Sequence, residues 1–232
     1  MKIDLYLVAI LPSIIITWII YFHDKYEREP IGLIIKTFLF GVFIILPTLV
    51  IENVLLSIFV LPGIWESFYT AFIVSGLTEE FLKRQVVLRI VYKNREFSEK
   101  LDGIAYCVYA ALGFATIENI MYIINHYTLQ PLIGFYRGIF SVPAHCLFAI
   151  TMGYYLSLAK FCEDPLKRKR YLTKSLWIPV IFHGIYNFIL LSRLSYLMIL
   201  FIPFVIYLWM INIKKLSIYT RDSQKRNHDI RE

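Results

Sequence analysis

The sequence predicts an all-α fold, a polytopic transmembrane bundle of about seven spans with its N-terminus outside and its C-terminus in the cytoplasm. Three observations predict it. Of 232 residues, 58% are hydrophobic and 17% aromatic, against about 45–50% apolar in an ordinary soluble domain. Long apolar runs follow one another with only short polar gaps, as a multi-pass helical protein requires. The Lys and Arg residues behind the net charge of +7 crowd into alternate gaps. That charge follows topology, so the bilayer is the expected partner and nucleic acid is not.

The predicted spans are 4–22, 32–52, 67–92, 102–125, 132–160, 171–191 and 195–213, each near or above the ~20 residues needed to cross. The first lacks a basic n-region and a small-x-small cleavage site, so it reads as a retained helix rather than a signal peptide. "KYEREP" (25–30) reads as a solvated turn, with Pro30 starting the second helix. The fifth run is the longest, so its span is tilted or opens with an interfacial turn. A tight turn around Ser192 and Arg193 joins the last two. No gap is long enough for a second domain, so 1–213 forms one membrane domain. Residues 214–232 form a basic, disordered cytoplasmic tail. Cys107, Cys146 and Cys162 fit neither a disulfide framework nor a Cys metal site.

The basic gaps set the orientation. Lys25 and Arg28 lie in the first, Lys93, Arg95 and Lys100 in the third, and Lys167, Arg168, Lys169 and Arg170 in the fifth. The gaps at 53–66 and 126–131 hold no Lys or Arg, and the turn after the sixth span holds only Arg193. This strict alternation is what seven crossings produce.

Ionisable residues inside such spans are expensive and mark functional sites by default. Span three carries "SGLTEEFLKRQVVL" (75–88), where Glu79 and Lys83, and Glu80 and Arg84, stand four apart on one face each. Snorkelling toward the cytoplasm explains the two cations. It does not explain two adjacent carboxylates, which point about 100° apart and so share no partner face. Span four carries Glu118 in "GFATIENIMY", with Phe114 one turn earlier and small residues that let a partner helix approach. Span five carries His145 after Pro143, and span six carries His183 and Asn187 on one face beside Gly184. Counted from the span ends, all of these lie about 10–20 Å below the outer surface at 1.5 Å per residue. They form one layer, able to converge on a cavity opening outward.

A carboxylate beside neutral imidazoles in a dry cavity can activate water, and imidazole or amide groups can stabilise the oxyanion. This is equipment for peptide hydrolysis without a Ser or Cys nucleophile. The same residue types could instead hold zinc, although the chain has no HExxH motif.

Together, "EEFLK" (79–83), "FATIE" (114–118), "HCLFA" (145–149) and "HGIYN" (183–187) resemble the motifs of PrsW-type intramembrane proteases. That family shares a superfamily with CAAX prenyl proteases and bacteriocin-processing membrane proteins. The resemblance extends to "YFHDKYEREP", so it covers nearly the whole chain. Asn187 stands where PrsW-like sequences often have Asp, and Arg84 satisfies the EExxxR pattern of the CAAX branch. The resemblance implies a multi-pass protease of the bacterial cytoplasmic membrane. It implies site-1 cleavage of a single-span anti-sigma factor on the extracytoplasmic side, in envelope-stress signalling.

The expected catalytic residues are Glu79, Glu80, Glu118, His145 and His183. Asn187, Lys83, Arg84 and Phe114 support them. No cofactor is required if the enzyme is of the glutamic type; a zinc ion would be held by Glu80, Glu118, His145 and His183. The alternatives are a CAAX-type or peptide-processing protease, and a non-catalytic proton-coupled transporter or scaffold.

Overall fold

The computed structural model describes residues 2–24, 26–58, 62–126 and 132–231. Among them there are no strands, and seven helical rods follow one another in the expected order. The first rod is α1 (Lys2–His23). The second is α2 (Ile31–Phe43) followed by α3 (Ile45–Ile58). They meet at Ile44, just ahead of Pro47, whose missing N–H breaks the helical ladder there. The third rod comprises α4 (Ile64–Tyr69), a π-helical segment (Thr70–Leu77) and α5 (Thr78–Ile90). The fourth is α6 (Lys100–His126). The fifth comprises α7 (Ile133–Tyr136), a π-helical segment (Arg137–Ser141) and α8 (Val142–Lys160). The sixth is α9 (Pro165–Leu191); the seventh is α10 (Ser195–Met198) and α11 (Phe201–Arg231).

Five of these helical stretches are long and apolar enough to cross a membrane: Ile31–Ile58, Lys100–His126, Ile133–Lys160, Pro165–Leu191 and Ser195–His228. The rod Ile64–Ile90 is the one that carries the Glu-Glu and Lys-Arg pairs.

The bundle is built around α6, which packs against α8, α2 and α1. Residues 101 to 116 are buried on every face of it. Small residues permit this, since a methyl group added at Gly113 would overlap the backbone oxygen of Phe38 on α2. The outer rods turn large apolar side chains outward, among them Phe43, Leu46, Val50, Trp209 and Met210. A surface of that kind suits lipid rather than water.

Besides the second rod, which runs on to Ile58 instead of ending at 52, three features differ from the sequence reading. First, α9 starts six residues early, at Pro165. Asp164 caps it by accepting from the N–H groups of Leu166 and Lys167 at 2.8 and 3.2 Å. The basic run 167–170 is therefore its first turns rather than a loop. Second, the tail from 214 is not disordered, because α11 continues to Arg231. It is held by Lys100 on Asp222 at 3.1 Å, Arg226 on the Ser98 carbonyl at 2.7 Å and Asn227 on the Tyr26 carbonyl at 3.1 Å. Third, the loop after α1 is not wholly solvated: Asp24 and Glu29 are buried.

Candidate active site

The two π-helical segments each end just ahead of an expected site residue, one before Glu79 and the other before His145. Such widened turns recur at functional sites because they re-aim the side chains that follow. Close packing supplies the rest. A methyl at Gly184 would overlap the Phe72 ring, so bare α9 backbone lets the third rod approach until Glu80 reaches His183.

The structure brings the predicted ionisable residues together. Glu79, Glu80, Lys83, His145 and His183 are each at most 4% exposed. One ligand atom from each of Glu79, Glu80, His145 and His183 lies within 4.8 Å of the others. Lys83 sits at their centre. Its Nζ lies 2.9 Å from Glu79 Oε2, 2.9 Å from Glu80 Oε1 and 3.0 Å from His145 Nδ1. An ammonium has three N–H donors, and all three are used here. It also lies 4.3 Å above the centre of the Phe114 ring, a cation–π contact that gives Phe114 its place in the site.

The Lys83 contact fixes the His145 tautomer. Lys83 can only donate, so His145 Nδ1 accepts and the ring proton sits on Nε2, which donates to Glu118 Oε2 at 2.9 Å. His183 Nδ1 donates to Glu80 Oε1 at 3.0 Å. In the neutral ring His183 Nε2 is then the acceptor, 3.9 Å from Glu79 Oε1. Phe148 stacks on the His183 ring at 5.0 Å and 20°, which holds this orientation.

A cavity of about 560 Å³ opens beside the cluster. Glu79, Glu118, His145, His183 and Asn187 line it, whereas Glu80 and Lys83 lie behind them. Its remaining wall is largely apolar, including Phe140, Leu190, Leu191 and Phe201.

Two expectations about pairing are overturned. Glu79 and Glu80 do share one partner, because a residue three positions from one and four from the other reaches both. Arg84 does not pair with Glu80. Its guanidinium donates to Ser175 Oγ at 2.9 Å and to the Leu172 carbonyl at 3.1 Å, bracing α5 against α9. Accordingly, Arg84→Met should destabilise the protein by about 1–2 kcal/mol while the folded fraction keeps its turnover. A thermal scan beside an activity assay checks this.

Arg137 was missed. Its Nη2 lies 2.9 Å from Glu118 Oε2, its Nε donates to Asn119 Oδ1 at 3.2 Å, and its guanidinium lies 3.7 Å over Tyr122. Glu118 thus takes its cation from the start of the fifth rod. An Arg inside an apolar run was the available signal, the same one that singled out Glu118. Glu118 also lies outside the four-donor group and orients His145 by accepting from its Nε2, as a carboxylate orients a ligating imidazole.

The sequence profile described as "PrsW family intramembrane metalloprotease" matches residues 29–211. The chain is 44% identical over 226 residues to Protease PrsW of Clostridioides difficile (strain 630), covering 97% of this chain and 95% of the relative. It is 37% identical over 207 residues to Protease PrsW of Bacillus subtilis (strain 168), covering 89% and 91%. Protease PrsW of Oceanobacillus iheyensis is 39% identical over 209 residues, covering 90% and 93%. No solved structure matches the chain. Membership in a peptidase family sets aside the transporter and scaffold alternatives. A profile match over most of the chain and full-length relatives at this identity place the protein in the PrsW family of intramembrane proteases, as a multi-pass peptidase of the cell membrane.

Proposed function

We propose that this protease performs site-1 cleavage of a single-span anti-sigma factor, on the extracytoplasmic side of the membrane, with Glu79 as the general base. The substrate class follows from the family resemblance and the side from the alternation of basic gaps. The apolar cavity wall suits a hydrophobic peptide entering from the bilayer.

One observation carries the assignment of the base: Glu79 faces the cavity, while Glu80 is locked behind it by Lys83 and His183. With Glu79 Oε2 held by Lys83, Oε1 is left facing His183 Nε2 across 3.9 Å, the two acceptors a water needs to be oriented and deprotonated. Glu79 takes a proton from that water as its oxygen attacks the scissile carbonyl. The protonated acid then returns the proton to the leaving amine. The Asn187 amide, on the same cavity wall one turn past His183, donates to the developing oxyanion. His145, with both nitrogens engaged, holds Lys83 and Glu118 in register rather than touching substrate.

A second reading rests on the donor set. Two carboxylates and two imidazoles, buried and within 4.8 Å, match the ligands zinc takes, namely Glu79, Glu80, His145 and His183. A zinc ion held there would supply Lewis-acid activation of water. Lys83 competes for three of the same four donors, so the two readings make opposite demands on it.

Full-length protein in liposomes with a single-span reporter tests both. The expected product is one cut on the extracytoplasmic flank of the span, mapped by mass and by protease protection. Cleavage confined to prenylated C-terminal peptides would instead assign the CAAX-type reaction. Loss of activity on chelation, restored by zinc, would select the metal reading; activity in metal-free protein selects the glutamate one.

A further inference from the structure

Residues 25–30 read as a solvated turn, yet Glu29 is 6% exposed and the adjoining Asp24 is 3% exposed. Asp102, on the first turn of α6, is 1% exposed and completes the group. One oxygen from each of the three carboxylates lies within 4.8 Å of the others. Protein donors satisfy only part of this group. Asp102 Oδ2 accepts from the N–H groups of Ser98 and Glu99 at 2.7 and 2.8 Å, and Tyr106 Oη donates to Glu29. By hydrogen-bond geometry Asp102 Oδ1 and both oxygens of Asp24 have no partner among the described residues, although the Glu27 backbone acts on Asp24 and the Glu29 and Asp102 carboxyls act on each other. Glu99, another buried acid whose charge acts on this group, adds a further unpartnered oxygen. Arg28, on the same loop, is exposed and lies over the rings of Tyr21 and Phe22, from where its charge reaches Asp24 without a hydrogen bond.

Buried carboxylates that face one another without donors are costly while ionised unless a cation joins them. The donors are all oxygens, which select hard cations over zinc. Oxygens on opposite sides of a calcium ion stand about 4.6–5.2 Å apart at normal bond lengths, and the observed spacing falls within that reach. The group is also remote from the protease site. Asp102 precedes Glu118 by 16 residues on α6, about 24 Å at helical rise.

We propose that Asp24, Glu29 and Asp102 form a separate site for a hard divalent cation of the Ca²⁺ or Mg²⁺ type. The ion ties the end of α1 and the loop ahead of α2 to the first turn of α6. Its role is structural, fixing the end of the central helix whose other half carries Phe114 and Glu118.

Metal-stripped, full-length protein in detergent tests this at constant ionic strength, with Ca²⁺ as the probe and Mg²⁺ as competitor. Equilibrium dialysis should give saturable Ca²⁺ binding in the wild type and in Glu80→Gln, which alters a donor of the protease cluster only. Binding should weaken about tenfold or more in Asp24→Asn, as expected for loss of a charged ligand. Ca²⁺ should raise the thermal midpoint of the first two proteins and not the third. Wild-type protein that binds neither ion would overturn the site. So would binding that survives Asp24→Asn but is lost in Glu80→Gln, which would place the ion in the protease cluster. If Asp24→Asn does not fold, wild type and Glu80→Gln decide. Equal gains in midpoint support the site, and no gain in either refutes it.

Discussion

Glu79→Gln should lower kcat on a single-span substrate by about 10²–10⁴-fold, the range for loss of a general base. KM and the unfolding midpoint should stay near wild type. The change is nearly isosteric, and Lys83 retains Glu80 and His145 as partners, so the cluster keeps its shape. What is lost is the one carboxylate of the Glu-Glu pair that reaches the cavity. Steady-state kinetics in liposomes, beside a thermal scan, separates this from misfolding. A variant with normal kcat would remove Glu79 from the mechanism and return the base to Glu80.

Lys83→Met should be the most destabilising change in the site, by about 3–5 kcal/mol. The side chain is 2% exposed, and its ammonium is the shared partner of two buried carboxylates and an imidazole. Removing it leaves two adjacent negative charges facing each other in a dry interior. Adding Glu80→Gln to Lys83→Met should therefore recover part of the loss, since one uncompensated charge disappears. Thermal midpoints of the two single variants and the double variant measure that coupling. Simple additivity would show that Lys83 acts through packing rather than charge. Substitution of Lys83 also distinguishes the two readings of the chemistry, because an ammonium and a metal ion compete for the same donors.

Much of the fold was legible because lipid imposes simple rules. Long apolar runs must become helices, and the order of the rods follows from the order of the runs. The residues of the candidate site were legible for the same reason, since Glu118, His145 and His183 stand out against apolar neighbours. Boundaries were less so. Asp164 and Pro165 are a strong helix start that the basic run after them obscured. The tail looked like a disordered segment because its ordering depends on contacts with Ser98, Lys100 and Tyr26, distant in sequence.

The sequence by itself determined that acids and imidazoles share one level of a membrane bundle, because helical rise converts position into depth. Only the tertiary structure decided who pairs with whom, because rotation about each helix axis and the approach of its neighbours set that. Two π-helical turns and the bare backbone at Gly184 fix those rotations and approaches. They give Lys83 both glutamates, send Arg84 to α9 and bring Arg137 to Glu118. They also turn Glu79 rather than Glu80 toward the cavity.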